Sequence, residues 1–444
     1  MAPLPLIAHD SPEAVVAYRA AQPISARRFL GDVARLASLL PPGRHLLNAC
    51  SDRYRFAVTF AAGCVSRRIC LLPPTLVPEV LRHLRAFAPD VICVADAAAT
   101  ATGLPTVRFP DEPAPAVAEW RVPAIAAEQC VAYVFTSGST GTPVSHPKTW
   151  GRLVATVDAE AIRLGLDAGE RHALLATVPP QHMYGFESSV LLPLRTGHAL
   201  CAERPFYPAD IAAALAALPV PRVLVSTPIH LRALLAAELE LPAVALTVCA
   251  TAPLEATLAA AVERRLRGPL LEIYGSTETG EIASRRTTVD EAWQLWPGVE
   301  LTLRDGRTWA SGGHVEAPTP LGDVVDIIGR DRFVLGGRHE DLVNIAGKRN
   351  SIAYLNHQLI AIPGVVDGAF FVRDDAATPS PTGVARLGAV VVAPGLTAAA
   401  ILNELRARLD PVFLPRPLLL VEDLPRNSTG KLPRAALLAF AARS

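Results

Sequence analysis

Short apolar runs alternate with helical patterns through most of the chain. Between about residue 24 and residue 275, segments with apolar residues at a spacing of 3.6 alternate with apolar runs bounded by Pro, Gly or Asp. Such alternation predicts an α/β fold, in which parallel sheets carry helices on both faces. The clearest runs are Arg44–Cys50, Ile69–Leu72, Val91–Ala95, Ala173–Val178, Arg222–Ser226 and Ala243–Cys249.

Two later regions depart from this pattern. From about Thr287 to Ile328, Gly and Pro separate short alternating segments, which is typical of β-hairpins. Beyond Arg338 the pattern predicts a compact α+β region. Its elements are a strand at Ala369–Val372, a strand at Leu387–Val392 and a helix at Thr397–Leu409.

The length and charge of the chain limit what it can be. Its 444 residues exceed what one hydrophobic core usually supports. We therefore predict a large N-terminal domain over residues 1–336, with a β-rich subdomain, and a small mobile domain over residues 337–444. Lys plus Arg equals Asp plus Glu at 42 each, so no net charge attracts nucleic acid or an anionic membrane.

The cysteines and the apolar stretches indicate a cytoplasmic protein without a membrane span. The seven cysteines form no Cys-x-x-Cys pair and lie mostly in apolar stretches, which is typical of buried thiols in a reducing compartment. The N-terminus lacks the basic region and apolar core of a signal peptide. The uncharged stretch between Arg386 and Glu404 is interrupted by Pro394-Gly395 and predicts a strand and a helix.

An apolar strand, Val131–Phe135, ends in a loop that is rich in hydroxyl groups and glycine. Backbone N–H and side-chain O–H groups in such a loop can turn toward an anion, and glycine permits a close approach. An ordinary Ser/Gly turn is the alternative. The spacing does not fit Gly-x-x-x-x-Gly-Lys-Ser/Thr, so a Walker-type nucleoside triphosphatase is disfavoured. The loop residues are Thr136, Ser137, Gly138, Ser139, Thr140, Gly141 and Thr142.

Residues 133–142 resemble the phosphate-loop signature of the adenylate-forming superfamily, which includes acyl- and aryl-CoA synthetases, luciferases and the adenylation domains of peptide synthetases. The resemblance implies that Thr136 to Gly141 grip the pyrophosphate part of ATP. The signature usually continues Pro-Lys-Gly, whereas this chain reads Pro143-Val144-Ser145-His146-Pro147-Lys148. Lys148 is therefore a candidate for the lysine of the signature, after a short insertion.

A second stretch, Glu272–Gly280, resembles the Tyr-Gly-x-Thr-Glu station of the same family. The resemblance implies that Tyr274, beside Gly275, packs on adenine, that Thr277 binds the α-phosphate and that Glu278 carries Mg²⁺. These roles suit the chemistry, since a hard cation prefers carboxylate oxygen and phosphate accepts bonds from neutral donors. A strand-ending turn with a helix-capping threonine is the alternative.

Three further stations follow in the order of the family. Asp323 lies fifteen residues before Arg338, and the two match the residues that contact the nucleotide ribose. Gly347 lies in a hinge-like segment and by resemblance lines the tunnel for the thiol. Lys431 matches the catalytic lysine, which stabilises charge at the α-phosphorus when the small domain closes. A lone lysine in a Gly/Ser/Thr turn is otherwise exposed to solvent, and the order of the stations argues against that alternative.

Two segments by resemblance border the acid substrate. His182 lies in a Pro-x-x-His-x-x-Gly loop and is expected to orient the acid or to act as an aromatic gate. A general base is not needed because a carboxylate is already ionised at neutral pH, and a satisfied loop histidine is the alternative. Ala250 and Thr251 stand where relatives carry glycine, which should narrow the tunnel in favour of a short or aromatic acid.

The resemblance predicts a ligase that uses ATP and Mg²⁺ to join a carboxylic acid to AMP. The acyl group then passes to the thiol of CoA or to the phosphopantetheine of an acyl carrier protein. A hydroxybenzoate-like acid is favoured, since the chain resembles the short ligases of aryl-polyene-type pathways. The alternatives are an acyl-AMP ligase that loads only a carrier protein and a catalytically silent nucleotide-binding homologue. Retention of Glu278 and Lys431 argues against the silent homologue.

Overall fold

The computed structural model has the predicted α/β architecture, and it forms two compact units. The larger unit contains residues 1–300 and 310–319, and the smaller contains residues 301–309 and 320–444. The boundary at residues 336 and 337 stays a prediction. The structure describes residues 2–96, 103–112, 120–137, 143–338, 342–345, 348–373 and 386–426, with Leu432, Leu437 and Phe440.

The first part of the larger unit contains a sheet that is parallel except at one edge. Two of its helices begin at side chains that accept a backbone hydrogen bond: Ser25 caps α1 and Asp52 caps α2. The elements are β1 (Leu4–Pro5), β2 (Val15–Arg19), β3 (Gln22–Ser25), α1 (Ala26–Leu39), β4 (His45–Asn48), α2 (Arg53–Val65), β5 (Ile69–Leu72), α3 (Pro78–Phe87), β6 (Ile92–Ala95), β7 (Thr106–Arg108), β8 (Ala124–Ile125), β9 (Cys130–Ser137) and β10 (Pro143–Thr149). The strand order is β10-β9-β5-β4-β6-β7, and β10 runs antiparallel to β9.

A second sheet follows in the same unit. Its elements are α4 (Trp150–Leu164), β11 (Ala173–Ala176), α5 (Met183–Phe186), a π-helical turn (Glu187–Leu191), α6 (Leu192–Thr196), β12 (Ala199–Cys201), α7 (Pro208–Ala217), β13 (Arg222–Ser226), α8 (Pro228–Ala236), β14 (Leu246–Cys249), α9 (Ala256–Leu266), β15 (Leu270–Ser276), β16 (Gly280–Arg285) and β17 (Trp293–Leu295). The strand order is β17-β16-β15-β14-β13-β11-β12-β2-β3, and the strands from β15 to β2 are parallel.

The order of this sheet creates a topological switch point. After β11 the chain continues to β12 on one side, whereas after β13 it continues to β14 on the other side. The connections therefore diverge at the carboxyl ends of β11 and β13, which is where open α/β sheets usually bind ligands. Apolar side chains such as Leu175 and Leu224 are fully buried in these two strands.

The strands predicted after Thr287 are present as hairpin elements. They are β18 (Val299–Arg304), β19 (Arg307–Gly312) and β20 (Thr319–Pro320). Asp305 and Gly306 join β18 to β19 with φ angles of 49° and 75°. Both values are positive, as the tight turn of a two-residue hairpin requires. This confirms the hairpin prediction for that region.

The smaller unit has a core of its own. Leu355, Phe370, Val391 and Ile401 are among its buried side chains. Its elements from residue 323 onward are β21 (Asp323–Ile327), β22 (Arg332–Arg338), β23 (Leu342–Ile345), β24 (Lys348–Ser351), α10 (Ile352–Ile360), β25 (Asp367–Arg373), β26 (Arg386–Val392), α11 (Ala398–Arg408), a 3-10 turn (Pro411–Phe413) and β27 (Leu418–Leu420). The predicted strands and helix of this region are confirmed.

The cysteines are unpaired, and a membrane span is not found. All seven cysteines lie within the described ranges as free thiols, and all except Cys130 are buried. In the part of the chain that the structure describes, no helix combines the length and apolar character needed to cross a bilayer.

Candidate active site

The first predicted station lies on the hairpin of β9 and β10. Thr136 pairs with Val144 across the two strands, and His146 lies two residues further along β10 on the same face. Diagonal neighbours of this kind are within side-chain reach. His146 Nε2 lies 3.1 Å from Thr136 Oγ1. Of the remaining loop residues predicted to bind phosphate, Gly138, Ser139, Thr140 and Gly141 lie outside the described residues, and only the backbone of Ser137 is described.

The second predicted station forms the turn between β15 and β16. Gly275 has no room for a side chain, because a Cβ atom there would lie 2.3 Å from the carbonyl oxygen of Gly280. Thr279 Oγ1 donates to Gly280 O at 2.7 Å and accepts from the backbone N–H of Ser276 at 3.1 Å. These contacts hold the turn, and Thr277 and Glu278 project from it half-buried.

The structure brings the two stations together. His146 Nε2 lies 3.5 Å from Glu278 Oε1, and Lys148 Nζ donates to the carbonyl oxygen of Glu278 at 3.4 Å. The strands that carry them, β10 and β15, belong to different sheets. Thr136, the first residue of the hydroxyl-rich loop, and Glu278, the glutamate predicted to carry Mg²⁺, therefore lie at one junction.

Lys148 is held inside the protein. Its side chain is buried, with only 4% exposed. Burial lowers the pKa of Lys148, and the carboxylates of Glu187, Glu316 and Glu278 oppose that shift. Glu316 also accepts hydrogen bonds from the backbone N–H and the hydroxyl of Thr149, both at 2.8 Å. Through its hydrogen bond to the carbonyl oxygen of Glu278, the buried lysine holds the backbone of the turn that bears this glutamate.

Three glutamates are fully buried near this junction. Glu160, Glu187 and Glu281 come from α4, the π-helical turn and β16, and we call them the buried glutamate cluster. Burial raises the pKa of Glu160 and of Glu187 to about 8. Burial also raises the pKa of Glu281 well above its ordinary value, and the charges of Glu160 and Glu187 add to that shift. Ser188 donates to Glu281 Oε1 at 2.8 Å, so part of the cluster is satisfied by hydroxyl groups.

A contrasting group of neutral side chains lies at the switch point of the second sheet. Thr177 and Ser226 hydroxyls are 3.0 Å apart, and Thr227 Oγ1 lies 2.8 Å from His230 Nδ1. Burial lowers the pKa of His230, so its ring is neutral at neutral pH. With Tyr184 these residues form what we call the switch-point cluster. Its side chains offer hydroxyl groups and rings without formal charge.

Tyr184 closes the floor of this region. Its hydroxyl lies 3.1 Å from Ser226 O and 3.0 Å from Val248 O, so its single hydrogen can reach carbonyls at the ends of two strands. The ring is buried. Tyr184 thereby packs against the carboxyl ends of β13 and β14.

The loop that carries His182 follows β11 and begins α5. His182 is half-buried, and its carbonyl accepts the backbone N–H of Phe186 at 2.7 Å. Gly185 packs so closely that a Cβ atom there would lie 2.1 Å from the carbonyl oxygen of Pro179. The Pro-x-x-His-x-x-Gly pattern therefore has a structural basis, because the glycine lets the loop fold back on its own proline.

Thr251 adopts a backbone conformation that suits glycine. Its φ angle is 83°, which is in the left-handed region. For a β-branched residue this conformation is a marked outlier and costs on the order of 1–3 kcal/mol. The chain thus has a backbone shape that favours glycine at a residue with a branched side chain. Such strain is commonly stored at functional sites.

The remaining predicted nucleotide contacts are placed only in part. Asp323 pairs directly with Arg338 across the hairpin of β21 and β22, although the side chain of Arg338 is not described. Tyr274 lies on β15 with its ring centroid 5.6 Å from that of Trp293. Gly347 and Lys431 lie outside the described residues, and their roles stay predictions.

The residues at the junction suit a magnesium ion that is held jointly with a nucleotide. No group of three or more His, Cys, Asp or Glu side chains within the described ranges could hold a metal alone. Glu278 offers one carboxylate, and its side chain is 41% exposed. Magnesium usually takes one or two protein carboxylates and completes its shell with phosphate oxygens and water.

Several residues of this region were not predicted as site residues. His146 and the buried glutamate cluster depend on contacts between segments that are far apart in the sequence. The sequence offered one signal, which is the insertion of Val144-Ser145-His146 before Lys148. The switch-point histidine, His230, carried no pattern that distinguishes it from an ordinary core histidine.

The chain is similar in sequence to two CoA ligases. The chain is 32% identical over 280 residues to a 4-coumarate–CoA ligase of Rhodobacter capsulatus, covering 62% of this chain and 66% of the relative. It is 27% identical over 350 residues to a 4-chlorobenzoate–CoA ligase of Arthrobacter, covering 70% and 66%. The chain thus matches just under two thirds of the length of these two relatives.

The fold is shared with solved structures over nearly the whole chain. ATP-bound MatB from Rhodopseudomonas palustris superimposes with a TM-score of 0.81 at 20% identity, covering 98% of this chain and 97% of that one. Residues 44–331 match the model of the AMP-binding enzyme family. The chain therefore belongs to the AMP-binding enzyme family.

Proposed function

We propose that this chain is an AMP-forming ligase that joins a carboxylic acid, preferably an aromatic one, to a thiol through an acyl-adenylate. One observation carries the proposal: the hydroxyl-rich hairpin of β9 and β10 and the turn bearing Glu278 meet within 3.5 Å through His146. A site for nucleotide phosphates needs hydroxyl donors and a metal carboxylate side by side. The two relatives described above, both named as CoA ligases, support the same reaction class.

The first half-reaction forms the adenylate. A carboxylate oxygen of the acid attacks the α-phosphorus of ATP, the new O–P bond forms, and the bond to pyrophosphate breaks. Thr136 and Thr277 supply neutral hydroxyl donors to phosphate oxygens, and Glu278 would hold Mg²⁺ together with the nucleotide. When bound, Mg²⁺ screens the charge of the phosphates. Lys431 is proposed to stabilise the charge that develops at the α-phosphorus.

The nucleotide base and ribose are assigned to other residues. Tyr274 is proposed to pack on adenine, with Gly275 leaving the backbone open beside it. Asp323 and Arg338, which are cross-strand partners in the hairpin of β21 and β22, are proposed to contact the ribose. A carboxylate can accept hydrogen bonds from both ribose hydroxyls, which suits Asp323 to this role.

The second half-reaction transfers the acyl group. The sulfur of the thiol attacks the acyl carbonyl, the C–S bond forms, and AMP leaves with the oxygen. Gly347 is proposed to line the path of the thiol arm, and His182 to orient the carboxylate in the first step and the carbonyl in the second. CoA is the favoured acceptor because both relatives are named as CoA ligases. The phosphopantetheine of a carrier protein presents the same arm and is the alternative.

An aromatic acid is the favoured substrate class. The switch-point cluster presents neutral side chains, so an uncharged ring can be buried there without leaving a charge unpaired. Tyr184 packs against the strand ends there, and Ala250 and Thr251 add side chains where the family resemblance expects glycine. The relatives act, by their names, on 4-coumarate and 4-chlorobenzoate, which are aryl acids.

We also propose a cytoplasmic location for this chain, because its seven free thiols suit a reducing compartment.

Acid-dependent pyrophosphate release tests the proposal. The purified chain is supplied with ATP, Mg²⁺ and a panel of benzoates, cinnamates and fatty acids, with CoA and a carrier protein in separate reactions. We expect release with aryl acids and thioester only with CoA. A preference for long fatty acids contradicts the proposed substrate class, and no release with any acid supports the silent homologue.

Lys431→Ala tests the proposed role of the lysine. ATP–pyrophosphate exchange should fall by about 10²–10³-fold, in line with loss of one transition-state charge contact. Thioester formation from supplied acyl-adenylate should survive. Arg406→Ala is the matched control, because Arg406 is an exposed cation on α11 of the same unit. Unchanged exchange in Lys431→Ala refutes the assignment.

A further inference from the structure

We propose that His146 is a positioning residue that holds the carboxylate of Glu278 beside the first hydroxyl of the phosphate loop. The inference rests on the proposed function, because it concerns the same nucleotide site. It adds a residue that the family signature does not include, since the signature continues Pro-Lys-Gly where this chain has an insertion that ends in His146.

The geometry places one ring nitrogen between two oxygens. His146 Nε2 is 3.1 Å from Thr136 Oγ1 and 3.5 Å from Glu278 Oε1. An N–H group at Nε2 can donate to either oxygen, and the hydroxyl of Thr136 can rotate to suit. The side chain of His146 is 19% exposed, so it is partly enclosed beside Thr136 and the turn that bears Glu278. It therefore connects the start of the loop to the end of the glutamate side chain.

Strand β10 contacts Glu278 at two points. Lys148 Nζ donates to the carbonyl oxygen of Glu278, and His146 reaches its carboxylate. Lys148 and His146 are two residues apart and therefore face the same side of the strand. Lys148 fixes the backbone of the turn, and His146 fixes the direction of the side chain. Neither contact alone would set where the carboxylate lies.

The carboxylate of Glu278 needs such a contact because it is only partly enclosed. Its side chain is 41% exposed. A glutamate has several rotatable bonds, and ordering one such side chain on binding costs enough to weaken an interaction roughly three- to tenfold. A histidine that orders the carboxylate beforehand removes that cost. The predicted effect is therefore on the affinity for magnesium-bound nucleotide.

The test compares His146→Ala, His146→Gln and Ser145→Ala. Isothermal calorimetry measures binding of Mg·ATP and, with chelator, of ATP alone. We expect His146→Ala to weaken Mg·ATP about three- to tenfold while affinity for metal-free ATP changes little. His146→Gln should recover most of the loss, since its amide can donate from a similar place. Ser145→Ala, on the opposite face of β10, should bind like the wild type.

Two outcomes overturn the inference. Equal Mg·ATP affinity in His146→Ala and the wild type shows that the ring does not order the carboxylate. An equal loss for Mg·ATP and metal-free ATP shows a general distortion of the loop. If the alanine variant fails to fold, His146→Val, which suits a strand and removes the donor, replaces it in a cycle with Glu278→Gln: the loss caused by His146→Val should disappear in that background, and an independent effect refutes the contact.

Failure of the inference is distinguishable from failure of the proposed function. The wild type is assayed in parallel for acid-dependent pyrophosphate release. Release in the wild type with unaltered binding in the variants refutes only the role of His146. Absence of release with every acid refutes the ligase assignment, whatever the calorimetry shows.

Discussion

The junction around Glu278 and the switch-point cluster handle buried polar groups in opposite ways. At the junction the buried side chains are ionisable: Lys148 and the buried glutamate cluster lie behind the turn. At the switch point the buried groups are hydroxyls, a neutral histidine and Tyr184, joined by hydrogen bonds of 2.8–3.3 Å. Both regions lie in the same unit: the junction lies where β10 of the first sheet meets the turn after β15, and the switch-point cluster lies at strand ends of the second sheet.

The difference fits what each region is proposed to bind. A triphosphate and a cation carry several charges. Ionisable side chains buried behind the Glu278 turn can change their protonation in response to those charges, so their burial there costs little free energy. An aromatic ring carries no charge, and any ionised group beneath it would be left without a partner. We therefore assign the charged nucleotide to the junction and the uncharged ring of the acid to the switch-point cluster. The variants below test each assignment.

Glu278→Gln should have the largest effect on activity, and this effect should be confined to the junction proposed to bind the nucleotide. Loss of the metal carboxylate is expected to lower ATP–pyrophosphate exchange by about 10²–10³-fold, as for loss of one electrostatic contact in a transition state. Because the side chain is half-exposed, the free energy of unfolding should change by less than about 0.5 kcal/mol. Exchange assays and urea unfolding measure the two quantities. Unchanged exchange would remove Glu278 from the site.

Gly185→Ala should disrupt the loop that carries Tyr184 of the switch-point cluster, because the added methyl group clashes with the backbone. A Cβ atom at this position would lie 2.1 Å from Pro179 O, so backbone must move. We expect a loss of about 3 kcal/mol in the free energy of unfolding. Gly329→Ala is the control, since the nearest atom to a Cβ there is the Cβ of Arg332 at 3.7 Å. Equal behaviour of the two variants in urea unfolding would contradict the close packing of this loop.

Glu160→Gln should change how stability depends on pH. Burial raises the pKa of Glu160 from 4.5 to about 8, and Glu187 and Glu281 face it. The folded protein therefore keeps a proton that the unfolded chain releases, so stability falls as pH rises through this range, by up to ~1.4 kcal/mol per pH unit for one group. Glutamine cannot ionise, and the variant should lose that part of the slope.

Urea unfolding at intervals between pH 5 and pH 8 measures the effect of Glu160→Gln. Glu128→Gln is the matched control, because Glu128 is exposed in the same unit. The control should follow the wild type at every pH. A Glu160→Gln curve parallel to the wild type would mean that Glu160 is ionised in the folded protein.

Thr251→Gly should have the smallest effect, and a stabilising one. Glycine adopts the observed φ of 83° without strain, although it also gains freedom in the unfolded chain. We expect a net gain of about 1 kcal/mol in the free energy of unfolding. Thr251→Ala separates the two contributions, since it removes side-chain volume but keeps a strained backbone. Both variants should accept longer acids, whereas only the glycine variant should gain stability.

The sheets were predictable because their strands are local apolar runs. Ile69–Leu72 and Arg222–Ser226 are strands at the predicted positions, and Asp305-Gly306 is a recognised turn signal. The hairpin of β2 and β3 was not predicted. Its turn is formed by Ala20 and Ala21 with φ angles of 47° and 61°, and alanine is not a residue that signals such a turn.

The motifs of the site were predictable from the sequence, but the contacts between those motifs were not. Thr136 and Glu278 could be identified from their motifs, since each motif is contiguous in the sequence. The contact of His146 with both depends on the register of β9 and β10 and on the meeting of two sheets. The burial of Lys148 depends on carboxylates from distant segments. Such contacts follow from tertiary packing, which no local pattern encodes.

The buried ammonium of Lys148 has a consequence for how this protein can diverge. Of the carboxyl groups that act on its charge, that of Glu187 is completely enclosed, and burial raises its pKa. Without Lys148, the enclosed carboxyl of Glu187 loses the cation that opposes this rise in pKa. Removal of one member of a buried charge pair costs up to about 3–5 kcal/mol, whereas joint replacement by apolar residues can be neutral. Homologous sequences should therefore exchange these two positions together, and a library that randomises both should recover functional pairs that neither single library contains.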